Sequence, residues 1–316
     1  MSLLRARVLT AAVCLAISAL TPTVSMSQQP MTEIPLSNSQ PGVSGVADGG
    51  PEAVTFDGTY VWVATQFDNS VTRVRVSDAA ILGTFTVGRR PVALLYAGTY
   101  VWVANLLSDN VMKLNKDTGA ILGTYTVGAG PGGLAYDGAN IWVANRDGNT
   151  VTKLRASDGA RLGIFPVGKR PMGLAYAGSS IWVANNFSNT VTKLSTAGAV
   201  LGTFSVGRGP FGVASDGANI WVTNYFGKTV TKLRASDGFN LGTFRMGDGV
   251  AGIIFDGVNF WVVNNGDDTV VKVNPRDGSV LITYVTGRSP FGVAFDGAKI
   301  WVPNFGSNSV STASVT

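Results

Sequence analysis

The chain contains no histidine and one cysteine, Cys14. Without histidine, the side chain most used as general base and metal ligand near neutral pH is missing. Glutamate is also scarce, with Glu33 and Glu52 the only copies. Charged residues make up only 14% of the sequence. With 40 glycines and plentiful valine and threonine, this composition describes a strand- and turn-rich protein rather than a helical or disordered one.

Residues 1–27 read as a secretory signal peptide, and residues 28–316 as the folded protein. Arg5 and Arg7 form its positive start, the apolar run 8–20 is too short to span a membrane, and 21–27 offers small residues for cleavage after Ser25 or Ser27. Ala6 separates the two arginines, which argues against a twin-arginine signal. Cys14 lies inside the apolar run, so the mature chain has no disulfide or thiol chemistry. Cleavage lowers the cations from 24 to 22 against 19 acids, a net +3 instead of +5, too small a charge to select a partner by itself.

Tryptophan supplies the organising period. Trp62, Trp102, Trp142, Trp182, Trp221, Trp261 and Trp301 are spaced by 40, 40, 40, 39, 40 and 40 residues. Around Trp142 the pattern predicts four short strands: "GGLAY" (132–136), "IWVAN" (141–145), "VTKLRA" (151–156) and "RLGIFPVG" (161–168), with turns at "DGAN", "RDGNT" and "SDGA". Four antiparallel strands per 40 residues make a propeller blade, so seven copies predict an all-β, seven-bladed β-propeller. The tryptophans are expected to pack between blades. The fourth-strand phrase "LGTFTVG" (82–88) has relatives at 122–128, 162–168, 201–207, 241–247 and 281–287, six in all. The segment "TEIPLSNSQPGVSGV" (32–46) is expected to supply the missing outer strand and close the ring.

The phrase "IWVAN…NTVTKL…LGTF.VG..P.GLAYDG" resembles the YVTN-type repeat of bacterial secreted seven-bladed propellers, the group that includes the YncE-like proteins. That resemblance covers residues 46–316 and implies a periplasmic or secreted binding protein, with single-stranded DNA one ligand described for the group. The "DG..IW" phrase is also similar to repeats of streptogramin (virginiamycin B) lyases, whose activity uses a metal ion and a catalytic histidine. A chain without histidine departs from that pattern, so this second resemblance supports the fold and undercuts the activity.

Candidate site residues divide between two rims. Blade connections and the loops between strands two and three share one rim, where Arg89, Arg90, Lys169, Arg170, Arg208 and Arg288 are expected to converge on the mouth of the central channel, opposed by Asp248, Asp48 and Glu52. Arginine forks in a concave site suit carboxylates, phosphates or polyanions. Asn105, Asn145, Asn185, Asn224, Asn264 and Asn304, with Thr65 in the first unit, end the second strands and form a second candidate set, although asparagine there commonly bonds nearby backbone. Beyond them Phe67, Leu106, Leu107, Phe187, Tyr225, Phe226 and Phe305 are expected to be exposed and suited to recognition by stacking. On the opposite rim, aspartates such as Asp57, Asp137 and Asp158 have a turn-forming role, and the third-strand cations from Arg73 to Lys272 are expected to lie over the next blade.

These observations predict a secreted, non-enzymatic binding module for a protein or polyanionic partner, monomeric and without a membrane span, cofactor, metal or catalytic residue. A streptogramin-lyase-like enzyme is the alternative, and single-stranded DNA binding a third reading.

Overall fold

The computed structural model describes residues 28–36 and 49–315. The signal segment, the 37–46 part of the expected closing piece and Asp48 lie outside the described residues.

Each 40-residue unit is a four-stranded antiparallel meander. In blade 3 the strands are Pro131–Tyr136, Asn140–Asn145, Thr150–Arg155 and Arg161–Pro166. Blades 1 to 6 run over 51–86, 91–126, 131–166, 171–205, 210–245 and 250–285; blade 7 occupies 294–314 and borrows its outer strand.

The second strand explains the repeated tryptophan. Its residues alternate faces, so Ile141 and Val143 pack against blade 2 with Trp102, while Trp142 packs against Leu174, Ile181, Val183 and Leu194 of blade 4. Trp301 makes the equivalent contact with Val61, Val63 and Val74 of blade 1, which completes the circle. All seven indoles are at most 1% exposed.

The third-strand cation stands opposite the tryptophan, as in the Trp142–Lys153 pair. Its Nζ lies 5.0 Å from the Trp142 ring centroid and donates a 2.6 Å hydrogen bond to the Thr196 carbonyl of the next blade. Lys113, Lys193, Lys232 and Lys272 repeat the arrangement, so these cations tie blades 2 to 6 each to the next blade.

Two N-terminal strands complete the ring. β1 (Gln28–Pro30) pairs parallel with the outer strand of blade 6, Val280–Val285. β2 (Thr32–Pro35) pairs antiparallel with Ser309–Ser314 and is the fourth strand of blade 7. The expected donor segment therefore does its work through its first four residues. The parallel addition of β1 to blade 6 had no counterpart in the sequence reading.

Candidate binding site at the channel mouth

The innermost strands line the channel in two layers. Immediately after the connections stand Glu52, Val92, Gly132, Met172, Phe211 and Phe291, while their counterpart in blade 6, Ala251, is buried. Two residues deeper, Val54, Leu94, Leu134, Leu174, Val213, Ile253 and Val293 form an aliphatic collar. Between the layers the strands approach so closely that a Cβ on Gly133 would lie 2.1 Å from the Met172 carbonyl oxygen. The cavity above the collar holds about 260 Å³.

Its two sides differ in chemistry. Blades 1 to 3 contribute Glu52, Arg90 and Arg146. Gln66 Nε2 donates to Glu52 Oε2 at 2.6 Å, and Arg90 Nε donates to Gln66 Oε1 at 2.5 Å, so one amide links the carboxylate to the guanidinium. Loss of hydration pushes the Glu52 carboxyl up to about 7, although Arg90 and Arg146 pull in the other direction. Arg146 is held by Asp147 through bonds of 3.0 and 3.2 Å.

Blades 5, 7 and 1 supply a continuous aromatic arc. Phe226 meets Tyr225 at 5.2 Å between ring centroids, Tyr225 meets Phe211 at 6.0 Å, Phe211 meets Phe291 at 6.1 Å, Phe291 meets Phe305 at 6.0 Å, and Phe305 meets Phe67 at 5.5 Å. Phe226 and Phe67, the two ends, are 57% and 54% exposed.

The expected cations do not all converge. Arg90 lines the cavity, whereas Arg89, Lys169, Arg208 and Arg288 follow the connection glycine and are exposed on the rim. Local backbone geometry separates them. The Arg89, Lys169 and Arg288 amides are held by Ser108, Ser188 and Ser307 hydroxyls. Arg90 and Arg170, next to proline, have φ of 57° and 53°, the left-handed region that other connections fill with Gly130, Gly209, Gly249 and Ser289. Arg170 lies 4.5 Å from the Phe187 ring centroid, so this aromatic and cation do meet. Asp248 pairs with Lys228 at 2.8 Å, and among the described residues the acids beside the mouth arginines are Glu52 and Asp147.

The asparagine set belongs to the frame. Asn105, Asn145, Asn185, Asn224, Asn264 and Asn304 are at most 2% exposed. Asn145 accepts a bond from the Gly128 amide at 3.1 Å and donates to the Thr150 and Thr152 hydroxyls at 2.9 and 2.8 Å, joining the connection to two strands. Thr65 is likewise buried. Among the expected exposed residues, Phe187 and Leu107 are exposed, whereas Leu106 is buried in the mouth wall at 3%.

Arg146, Gln66, Phe211 and Phe291 were not among the sequence candidates. One signal was available: the residue after the connection varies from Glu to Phe while the flanking phrase barely changes.

No known family profile and no curated protein sequence matches the chain. Solved structures do. A virginiamycin B lyase from Staphylococcus aureus superposes with a TM-score of 0.77 at 18% identity, over 90% of this chain and 99% of that one. The likeness is one of fold. A streptogramin B lyase gives 0.76 over 89% and 96%, and Kuenenia stuttgartiensis hydrazine synthase gives 0.76 over 88% and 99%, each again at 18% identity. The metal implied by a lyase resemblance does not fit this mouth. Among the described residues it presents one carboxylate beside two guanidinium groups, and no three His, Cys, Asp or Glu side chains gather to hold an ion.

Proposed function

We propose that this protein is a secreted, non-enzymatic binding propeller whose connection rim holds an anionic partner, either a protein or a polyanion such as single-stranded DNA. The observation that carries the reading is the aromatic arc from Phe226 to Phe67 opposite Arg90 and Arg146, ringed by exposed Arg89, Lys169, Arg208 and Arg288. Arg170, stacked 4.5 Å from the Phe187 ring centroid, adds a cation beside an exposed aromatic on the same rim. The test is capture from envelope extract by the mature protein and by a variant with Arg89, Arg90, Arg170 and Arg208 changed to Glu. A partner held by the former and lost by the latter supports the reading, and equal capture refutes this site. Oligonucleotide binding that weakens steeply with salt would identify the polyanion.

A lyase-like enzyme is the second reading, favoured by the shared propeller and by Glu52, raised to about 7 and so in the range suited to a general base. One solved neighbour is a catalytically inactive virginiamycin B lyase with quinupristin. Turnover of quinupristin by the purified protein, followed by mass spectrometry and lost in Glu52→Gln, would reverse the order of the two readings.

A further inference from the structure

The mouth cavity is too small for a macromolecule and too divided in character for a purely apolar ligand. About 260 Å³ lies just below the roughly 300–1,000 Å³ of drug-sized pockets, which limits an occupant to a small molecule. On one side, Arg90 is held through Nε by Gln66, and among the described residues its two Nη nitrogens have no hydrogen-bond partner. Arg146 lines the same side with Asp147 behind it. Facing them, Phe211 and Phe291 pack together with ring centroids 6.1 Å apart, and Met172 lies in the same wall.

Resting on the reading of this rim as the binding face, we infer that the mouth binds a small aryl-alkyl carboxylate, its anionic end on Arg90 and Arg146 and its ring against Phe211 and Phe291, with Glu52 taking up one proton from water as the ligand enters.

Proton uptake follows from the crowding of charge. A ligand carboxylate beside the arginines approaches Glu52, and two carboxylates sharing one desolvated site do not both stay ionised. The surrounding groups leave Glu52 as the one to yield. Blade 2 presents Arg90, and blade 3 presents Arg146 with Asp147 already engaged. Blade 7 meets the Glu52 backbone through the Gly292 amide, 3.1 Å from its carbonyl oxygen. On blade 1 itself, Gln66 bonds the carboxylate and Asp68 lies against Gly49. Across the mouth, the Tyr225 hydroxyl is bonded to Asn265 at 3.0 Å, its ionisation pushed up by burial, and Asp248 is paired with Lys228. Poised at about 7, Glu52 gains its proton at little cost near neutral pH.

The experiment is calorimetric titration of the mature protein with 3-phenylpropionate, with uncharged 3-phenylpropanol as control. Binding is expected at pH 6, to weaken about thirtyfold by pH 8.5 as the proton must be drawn from an increasingly basic solution. At pH 8.5 the heat should vary with buffer ionisation enthalpy as for uptake of about one proton. Glu52→Gln should bind with no such pH or buffer dependence, Arg90→Gln should bind at least about tenfold more weakly, and the alcohol should bind about tenfold more weakly than the acid. The buffer series on the unaltered protein decides the proton question even if Glu52→Gln does not fold. Absence of 3-phenylpropionate binding, a flat pH dependence, or equal binding by Arg90→Gln overturns the inference. If the rim variant loses its captured partner while 3-phenylpropionate never binds, the inference falls and the wider rim reading stands.

Discussion

At the hairpin rim, Asp57, Asp137, Asp216, Asp256 and Asp296 each accept a hydrogen bond of 2.7–3.2 Å from the indole of the tryptophan five residues later. At the channel mouth the repeats instead diverge, and equivalent positions carry an acid, an aliphatic, a glycine, a methionine or an aromatic. Repetition marks the side chains that build the ring, and divergence marks those released from building it. Blades 2 and 4 sharpen the point. They carry Ala97 and Ala177 where the others have aspartate, and the buried indole nitrogens of Trp102 and Trp182 have no acceptor. Both rings are nevertheless 0% exposed. Burial of the indole holds the blade, and the aspartate bond adds to it.

Trp142→Ala should break the hairpin side of this contrast most severely, lowering stability by about 3–5 kcal/mol in denaturant unfolding as the interblade space empties. Asp137→Ala should cost about 1–3 kcal/mol, because it strands a buried donor and also removes the bonds to the Ala139 and Asn140 amides. At the mouth, the folded chain keeps the Glu52 proton until about pH 7, while the unfolded chain releases it at the ordinary 4.5. This contribution to stability is therefore intact below pH 4.5 and is lost as the pH rises to 7. Glu52→Gln should be unchanged at pH 4 and more stable at pH 8 by about 1–2 kcal/mol, less than the full shift because Glu52 keeps part of its surface exposed. Ala97→Asp should make blade 2 like its neighbours and add about 1 kcal/mol. The smallest effect, a gain of about 0.5–1 kcal/mol, is expected for Arg90→Gly, where the left-handed backbone is relieved. If Arg90→Gly were instead destabilising, the arginine would belong to the frame and the division between the two rims would fail.

Most of the frame was legible because it is periodic. The third strand expected at 151–156 is Thr150–Arg155, and the missing outer strand was located from one absent copy of a phrase. The aspartate-to-indole bond could have been read too, since Asp precedes Trp by five residues in five units. Turn formation by itself already accounts for aspartate at those positions. The mouth was less legible. Phe211 and Phe291 meet over blade 6 although 80 residues separate them, and neither "GPFG" nor "SPFG" announces a neighbour on another blade. Arg90 and Arg170 share a left-handed φ, yet Arg90 is drawn into the cavity by Gln66 while Arg170 lies over Phe187. Composition does not record those neighbours on other strands.

The N-terminal strand that completes blade 7 also orders events in time. Glu33 of β2 accepts a hydrogen bond from the Ser309 hydroxyl across 276 residues of chain, so β2 must wait for the last strand before it can dock. Closing so long a loop before any reward arrives is slow. Until then the ring is an open arc with an unpaired sheet edge at blade 7. A refolding experiment should therefore show tryptophan burial in the early blades ahead of a late phase. Removing β2 should speed loss of the native state far more than it alters the formation of any single blade.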